Sequence, residues 1–343
     1  MNFTSDNVTP ANKQIIDEVT KINQGYESSY GQDNQTQLLE KKLSEIFETP
    51  VNVFLVNTGT AANCLALSAL VRPHEAILCH TESHIATDEG NAPEFFTGGA
   101  KIITCGGKNG KLNADNIDHT IVNFLNKRPI APKIGCISLT QATEAGTVYT
   151  LDELTCVKTI ANQHKLSIHM DGARFANSLV SLGCSPAELT WKSGIDVLSF
   201  GATKNGTICA EAIVFFNPVL CQEFDYLHKR AGQLMSKNRF FACQLNAYLR
   251  DDLWLKNAGH ANKMAKKLEN ILLNHNFLIT YPVESNEIFF TMSKQIASQL
   301  REKGCQFYDW LPTPDLYRFV TSFYTSQDDI DKFEKTLKMI TTP

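Results

Sequence analysis

Between residues 166 and 216 the chain reads LSIHMDGARFANSLVSLGCSPAELTWKSGIDVLSFGATKNGTICAEAIVFF, and this stretch constrains the fold more than any other. It contains short apolar runs over 167–170, 195–200 and 210–216, each bounded by glycine or polar residues. Runs of this kind predict buried strands of a parallel or mixed sheet. The first ends at Asp171 and the second stops shortly before Lys204. An acid and a lysine at strand ends are thereby predicted at the mouth of an α/β sheet, where such folds place ligands.

That pair suits one cofactor. Pyridoxal phosphate requires a lysine amine to condense with its aldehyde and a carboxylate to keep its pyridine nitrogen protonated, so that the ring can accept the electrons of a carbanion. Lys204 is the amine candidate and Asp171 the carboxylate candidate. An isolated Asp and Lys more often cap a loop and sit solvated at the surface. Lys204, however, is flanked by Gly201, Ala202, Thr203, Asn205 and Gly206, a small polar turn that lets a bulky ligand approach the backbone. Upstream, VNVFLVNTGTAANCLALSALV predicts a strand over 51–56, a turn over 57–60 and a helix from Ala61. Such a junction leaves N–H groups at the positive end of a helix, where an anion can sit. Gly59 and Thr60 are the first candidates for a cofactor phosphate, with Thr58 and Asn63 in support. T-G-T before a helix is in isolation often only an N-cap, so the phosphate reading leans on Lys204 and Asp171.

MDGARFANS and SFGATKNGTICAEAIVFF resemble the paired signatures of threonine aldolases, fold-type-I pyridoxal-phosphate enzymes of the β-eliminating lyase superfamily. The similarity runs from FTSDNVTPAN near the start to LYRFVTSFYTS near the end. It implies an α/β fold: an aminotransferase-like large domain with a mainly parallel seven-stranded sheet, and a small α+β C-terminal domain. The expected divisions are an arm and helix over 1–25, a cofactor-binding domain over 26–255 and the small domain over 256–343. The implied reaction cleaves L-threonine, L-allo-threonine and related β-hydroxy-α-amino acids to glycine and an aldehyde. Another reaction on the same scaffold, such as β-elimination or racemisation, and a non-catalytic cofactor-binding protein stand as alternatives.

The resemblance also implies roles. Ser5 matches the serine that contacts the substrate carboxylate. Arg174 matches the arginine on the cofactor phenolic oxygen and substrate carboxylate, and Arg318 the arginine that binds the α-carboxylate. His84, aligned on S-H-I, matches the histidine stacked on the pyridine ring, with Glu89 placed to orient it. Where many relatives carry a histidine near the substrate hydroxyl, alignment on Gly146 and Val148 puts Glu144. The hydroxyl base is therefore open among His84, Glu144 and a water. The arginine that reaches a neighbouring subunit's phosphate is absent from the M-S-K stretch, and Lys237 is the candidate to replace its charge, with Lys229 at another basic position. A homodimer or homotetramer with shared active sites is implied.

Composition narrows the remaining classes. A length of 343 residues allows one large core and a smaller second one. A formal charge of −4 provides no electrostatic footprint for nucleic acid or an anionic membrane. No apolar run approaches the ~20 residues that span a bilayer, and MNFTSDNVTP lacks the basic start and apolar core of a signal peptide. Ten cysteines, without a C-x-x-C pair, predict a reducing, cytoplasmic setting and no metal site. GGKNGK over 106–111 lacks P-loop spacing and predicts a turn. Helices are predicted over 36–47, 116–126, 151–164 and 260–274, a strand over 134–139, a mostly helical region over 219–254, and alternating strands and helices over 277–323.

Overall fold

The apolar runs of the central stretch become the middle of a seven-stranded sheet with order β1-β7-β6-β5-β4-β2-β3. The computed structural model describes residues 1–126, 130–310 and 312–341. Its strands are β1 (Asn52–Val56), β2 (Glu75–His80), β3 (Lys101–Cys105), β4 (Lys133–Thr140), β5 (Ser167–Gly172), β6 (Val197–Phe200) and β7 (Glu211–Phe215). Only β7 runs antiparallel to its neighbours β1 and β6. The others pair in parallel, so β4, β5 and β6 end on the same edge. Asp171 lies opposite Thr140 on one side and Ser199 on the other. Because β6 and β7 are buried along their whole length, they read as largely apolar runs, broken only at Ser199 and Glu211, rather than alternating ones.

A second sheet, ordered β10-β11-β9-β8, is antiparallel. It contains β8 (Leu278–Ile279), β9 (Glu287–Thr291), β10 (Tyr308–Asp309) and β11 (Leu316–Val320). The helix Leu253–Asn274 connects the two sheets, since it packs on helix Phe175–Leu182 at one end and on β8 and β9 at the other. It starts earlier than its predicted 260–274 because Leu253, Trp254 and Ala258 are buried in the large core. The first residues are not a frayed end. Phe3 is fully buried, stacks on Phe319 with ring centroids 5.1 Å apart, and exchanges backbone hydrogen bonds with Gln306 and Val320.

The helix Leu151–His164 falls on its predicted residues, started by a capping box between Thr150 and Glu153 and ended by Lys165 in the left-handed region. Elements that go beyond the sequence expectations include β2, β3, the helix Phe175–Leu182 and the C-terminal helix Gln327–Thr341. The C-terminal helix buries Ile330, Phe333 and Leu337 on one face and carries Asp328 and Asp329 in its first turn. Among the described residues no helix is long and apolar enough to cross a membrane.

Candidate active site

Lys204 sits in a single 3₁₀ turn, Thr203–Asn205, just past the end of β6. The turn is fastened on every side. Glu211, at the start of β7, accepts the N–H groups of Ala202 at 2.7 Å and Thr203 at 3.3 Å. Asn205 donates to the Tyr248 hydroxyl and the Trp254 carbonyl, both at 2.8 Å, and Asn257 donates to the Asn205 carbonyl. Gly206, at φ +126, closes the turn in a conformation that side chains rarely adopt. Gly201 is demanded by crowding instead: a Cβ there would meet Ala173 and Gly172 backbone atoms at 2.6–2.7 Å. Gly201→Ala is expected to cost about 1–3 kcal/mol, seen as a lower melting temperature, and to lower activity by displacing Lys204. A variant with unchanged melting temperature would contradict this packing.

Lys204 opens into a cavity of about 310 Å³ whose wall also includes Thr58, Gly59, Thr60, His84, Glu144, Asp171 and Arg174. This size is at the lower end for small-molecule sites. Asp171 is 5% exposed and is held by two donors, Asn63 Nδ2 at 2.8 Å and the Ala173 N–H at 3.0 Å. Asn63 therefore does not serve a phosphate. Its amide also donates to Glu89 Oε1 at 2.9 Å, so one NH₂ bridges two buried carboxylates. Glu89 Oε1 in turn lies 2.8 Å from His84 Nδ1. That hydrogen bond raises the His84 pKa, against the opposing effect of burial and with help from Asp171.

Glu144 lies on the loop after β4. Its Oε1 accepts the His84 backbone N–H at 2.8 Å and the Thr140 hydroxyl at 2.9 Å. Its Oε2 is buried and has no partner among the described residues. Burial, reinforced by the nearby Asp171 charge, pushes the carboxyl up to about 7. The loop is clamped to the segment that leads into β9, where Ser285 donates to the Gly146 carbonyl at 2.9 Å and Glu284 Oε2 accepts the Val148 N–H at 2.7 Å.

The helix Gly59–Leu70 begins at the same cavity. Thr58 caps it by accepting the Ala61 N–H at 3.1 Å, and the N–H groups of Gly59 and Thr60 lie in its first turn, where no intrahelical carbonyl can reach them. A Cβ on Gly59 would meet nothing within 4 Å, so the backbone there is open to a ligand. One amine, one doubly anchored carboxylate and one open helix N-terminus form a donor set that fits pyridoxal phosphate.

Ser5, Lys237 and Arg318 lie outside the cavity wall. The Ser5 hydroxyl caps the Asn7 N–H at 3.1 Å, Lys237 is exposed, and Lys229 stands over the Tyr30 ring at 4.3 Å. Arg318 projects from β11 against Trp310, 4.7 Å from the ring, and its Nη1 lies 3.6 Å from Glu287 Oε1. Arg174 is gripped by Asp6, through Nε at 2.8 Å and Nη2 at 3.0 Å, while its Nη1 lies 3.1 Å from Glu287 Oε2. Burial alone would push the Asp6 carboxyl up. Arg174, Lys204 and the hydrogen bonds from Arg174 and Asn286 reverse this and hold it below its ordinary value. Asp6, Glu211 and Glu287 escape sequence reasoning. The available signal was an acid inside an otherwise apolar run, as in AEAIVFF and NEIFF.

Comparison with known proteins agrees with this geometry. The protein-family model Beta-eliminating lyase matches residues 2–295. A low specificity L-threonine aldolase of a Pseudomonas species is 40% identical over 340 residues, 98% of this chain and 97% of that protein. The enzyme of the same name from Pseudomonas aeruginosa is 39% identical over the same shares. The solved threonine aldolase of Leishmania major superposes with a TM-score of 0.94 at 27% identity, covering 99% of each chain. A Sphingomonas wittichii serine palmitoyltransferase, 15% identical with a TM-score of 0.71, shares the fold alone. The architecture is that of fold-type-I pyridoxal-phosphate enzymes, and the chain belongs to the β-eliminating lyase family.

Proposed function

We propose that the protein is a pyridoxal-phosphate-dependent aldehyde-lyase that cleaves L-threonine, L-allo-threonine and related β-hydroxy-α-amino acids to glycine and an aldehyde. The observation that supports this most directly is the opening of Lys204 and Asp171 into one cavity. Pyridoxal phosphate, when bound, supplies an aldehyde for amine capture and a conjugated ring that accepts the electrons released on bond cleavage.

The remaining steps belong to the chain's own residues. Lys204 supplies the amine that the substrate amine replaces. Asp171, fixed by Asn63 and Ala173, keeps the proton on the ring nitrogen. Thr58, Gly59 and Thr60 would hold the phosphate, and His84, its imidazole steered by Glu89, would pack against the ring. Arg174, Arg318 and Ser5 secure the substrate carboxylate, which orients the bond to be broken. Glu144, which lines the cavity and whose buried Oε2 has no partner among the described residues, is the best-supported acceptor for the β-hydroxyl proton. His84 is the second candidate.

We read residues 26–255 as the cofactor-holding unit, 256–343 as the small unit, and 1–25 as an arm between them. A homodimer or homotetramer would let the exposed Lys237 serve a neighbouring subunit's phosphate. A cytoplasmic setting fits ten free cysteines.

The test is to incubate the reconstituted protein with L-threonine and assay acetaldehyde and glycine against ammonia and 2-oxobutyrate. Ammonia with 2-oxobutyrate and no acetaldehyde would replace the aldolase reading by β-elimination. For Arg318→Ala the expected result is a KM for threonine raised about tenfold or more, with cofactor still bound. An unchanged KM would remove Arg318 from carboxylate binding.

A further inference from the structure

The two arginines assigned to the substrate carboxylate are already matched by two buried carboxylates. Asp6 and Glu287 are 2% and 1% exposed. Arg174 and Arg318 contribute two positive charges and Asp6 and Glu287 two negative ones, so the cluster is balanced before a substrate enters. The two acids are not equivalent. Asp6 takes the side edge of the Arg174 guanidinium with two hydrogen bonds, at Nε and Nη2, and is further fixed by Asn286 Nδ2 at 3.0 Å. This leaves the end edge, Nη1 and Nη2, as the fork for a second carboxylate.

Glu287 stands at that edge. Its Oε2 is 3.1 Å from Arg174 Nη1 and its Oε1 is 3.6 Å from Arg318 Nη1, yet neither oxygen makes a hydrogen bond of good geometry among the described residues. The sheet sets this position. In the β9–β11 ladder Glu287 is opposite Val320 and Arg318 is opposite Phe289, so Glu287 and Arg318 are diagonal neighbours within reach of long side chains. The Glu287 backbone is backed by the Glu144 loop, since a Cβ on Gly146 would meet the Glu287 Cβ and carbonyl oxygen at 3.0 Å.

We propose that Glu287 is a positioning residue that stands in for the substrate α-carboxylate between Arg174 and Arg318, and competes with it. An amino acid then binds by exchanging one carboxylate for another on the arginine pair. The exchange narrows the site's preference for ligands that carry a carboxylate, and it releases glycine, which carries the same carboxylate as the substrate, more readily than an unopposed arginine pair would. Faster release at the cost of ground-state affinity suits a reaction whose product retains the anchoring group. This inference rests on the carboxylate-binding reading of Arg174 and Arg318 above.

The test compares wild-type and Glu287→Gln holoenzyme, titrated with glycine and with ethylamine, which has the amine but no carboxylate. Binding is followed by the change in cofactor absorbance. Glu287→Gln removes the competing charge with little change in shape. The expected result is glycine binding tighter by about tenfold, with ethylamine affinity changed by less than about twofold. The KM for threonine should fall with it while kcat does not rise. The variant should also melt lower than wild type without ligand and gain more from added glycine, because its arginines are left underpaired. Equal effects on glycine and ethylamine, or weaker glycine binding, would overturn the proposal and leave Glu287 a structural residue. If wild-type holoenzyme gives no absorbance response to glycine, the cofactor and substrate reading fails and the proposal with it. Should Glu287→Gln not fold, Glu287→Asp draws the charge back by one methylene. It is expected to shift the glycine-to-ethylamine ratio in the same direction by a smaller factor, and an unshifted ratio overturns the proposal.

Discussion

Lys204→Ala is expected to abolish turnover. The turn that carries this lysine is fixed by Glu211, Asn205 and Asn257, none of which uses the lysine side chain, so the variant should fold with an unchanged circular dichroism spectrum. The loss then reports chemistry rather than collapse. Truncation removes the only lysine among the described residues of the cavity wall, and with it the amine proposed to tether the cofactor. The fall in kcat should exceed the roughly 10²–10⁴-fold that general acid–base assistance supplies. The cofactor's visible absorbance in the reconstituted protein should be lost or displaced towards that of free pyridoxal phosphate. Retained absorbance together with retained aldehyde production would overturn the assignment of Lys204.

Glu144→Gln should have the second largest effect. The amide keeps the side-chain shape, and its oxygen can still accept from the His84 N–H and the Thr140 hydroxyl, but it can no longer take a proton. The expected fall in kcat is about 10²–10⁴-fold. The pH dependence separates this role from a structural one. A base must be ionised to act, so wild-type kcat/KM should rise with pH through about 7, where burial places the Glu144 carboxyl. That limb should vanish in Glu144→Gln. If it persists there and disappears in His84→Asn, the histidine is the base.

Stability provides an independent check on the same carboxyl. Its folded-state value is raised from the ordinary 4.5 to about 7, so between those values the folded protein holds a proton that the unfolded chain releases. Wild-type stability therefore declines across this interval as pH rises. Glu144→Gln, which cannot ionise, escapes the decline, and its melting temperature relative to wild type should climb between pH 5 and pH 8. A relative melting temperature independent of pH would place the Glu144 titration elsewhere.

The chain discloses its large sheet more readily than its charges. β5, β6 and β7 are legible because strands buried on both faces must be written in apolar residues, and Asp171 and Lys204 stand out as polar groups at their ends. The helix Leu151–His164 is legible because its cap is local, with Thr150 three residues before Glu153. β2 and β3 are harder to find. β3 is a short edge strand with exposed Lys101, and β2 ends in a buried histidine, His80. The acids around Arg174 are illegible for a different reason. Asp6 meets Arg174 from 168 positions away, and Glu287 reaches it from another sheet, so no local spacing records the encounter. Family likeness brings out Arg174 and Arg318 as candidate carboxylate ligands but carries no indication of their internal partners.

The clamp between Gly146–Val148 and Glu284–Ser285 has a consequence for anyone who would redesign this molecule. The proposed proton acceptor, Glu144, and the proposed carboxylate anchor, Arg318, ride on the same mechanical coupling, one on each side of these two bonds. Re-aiming Arg318 by repacking the small sheet will tilt Glu144 as well, so the two ends of the substrate cannot be retuned as separate knobs.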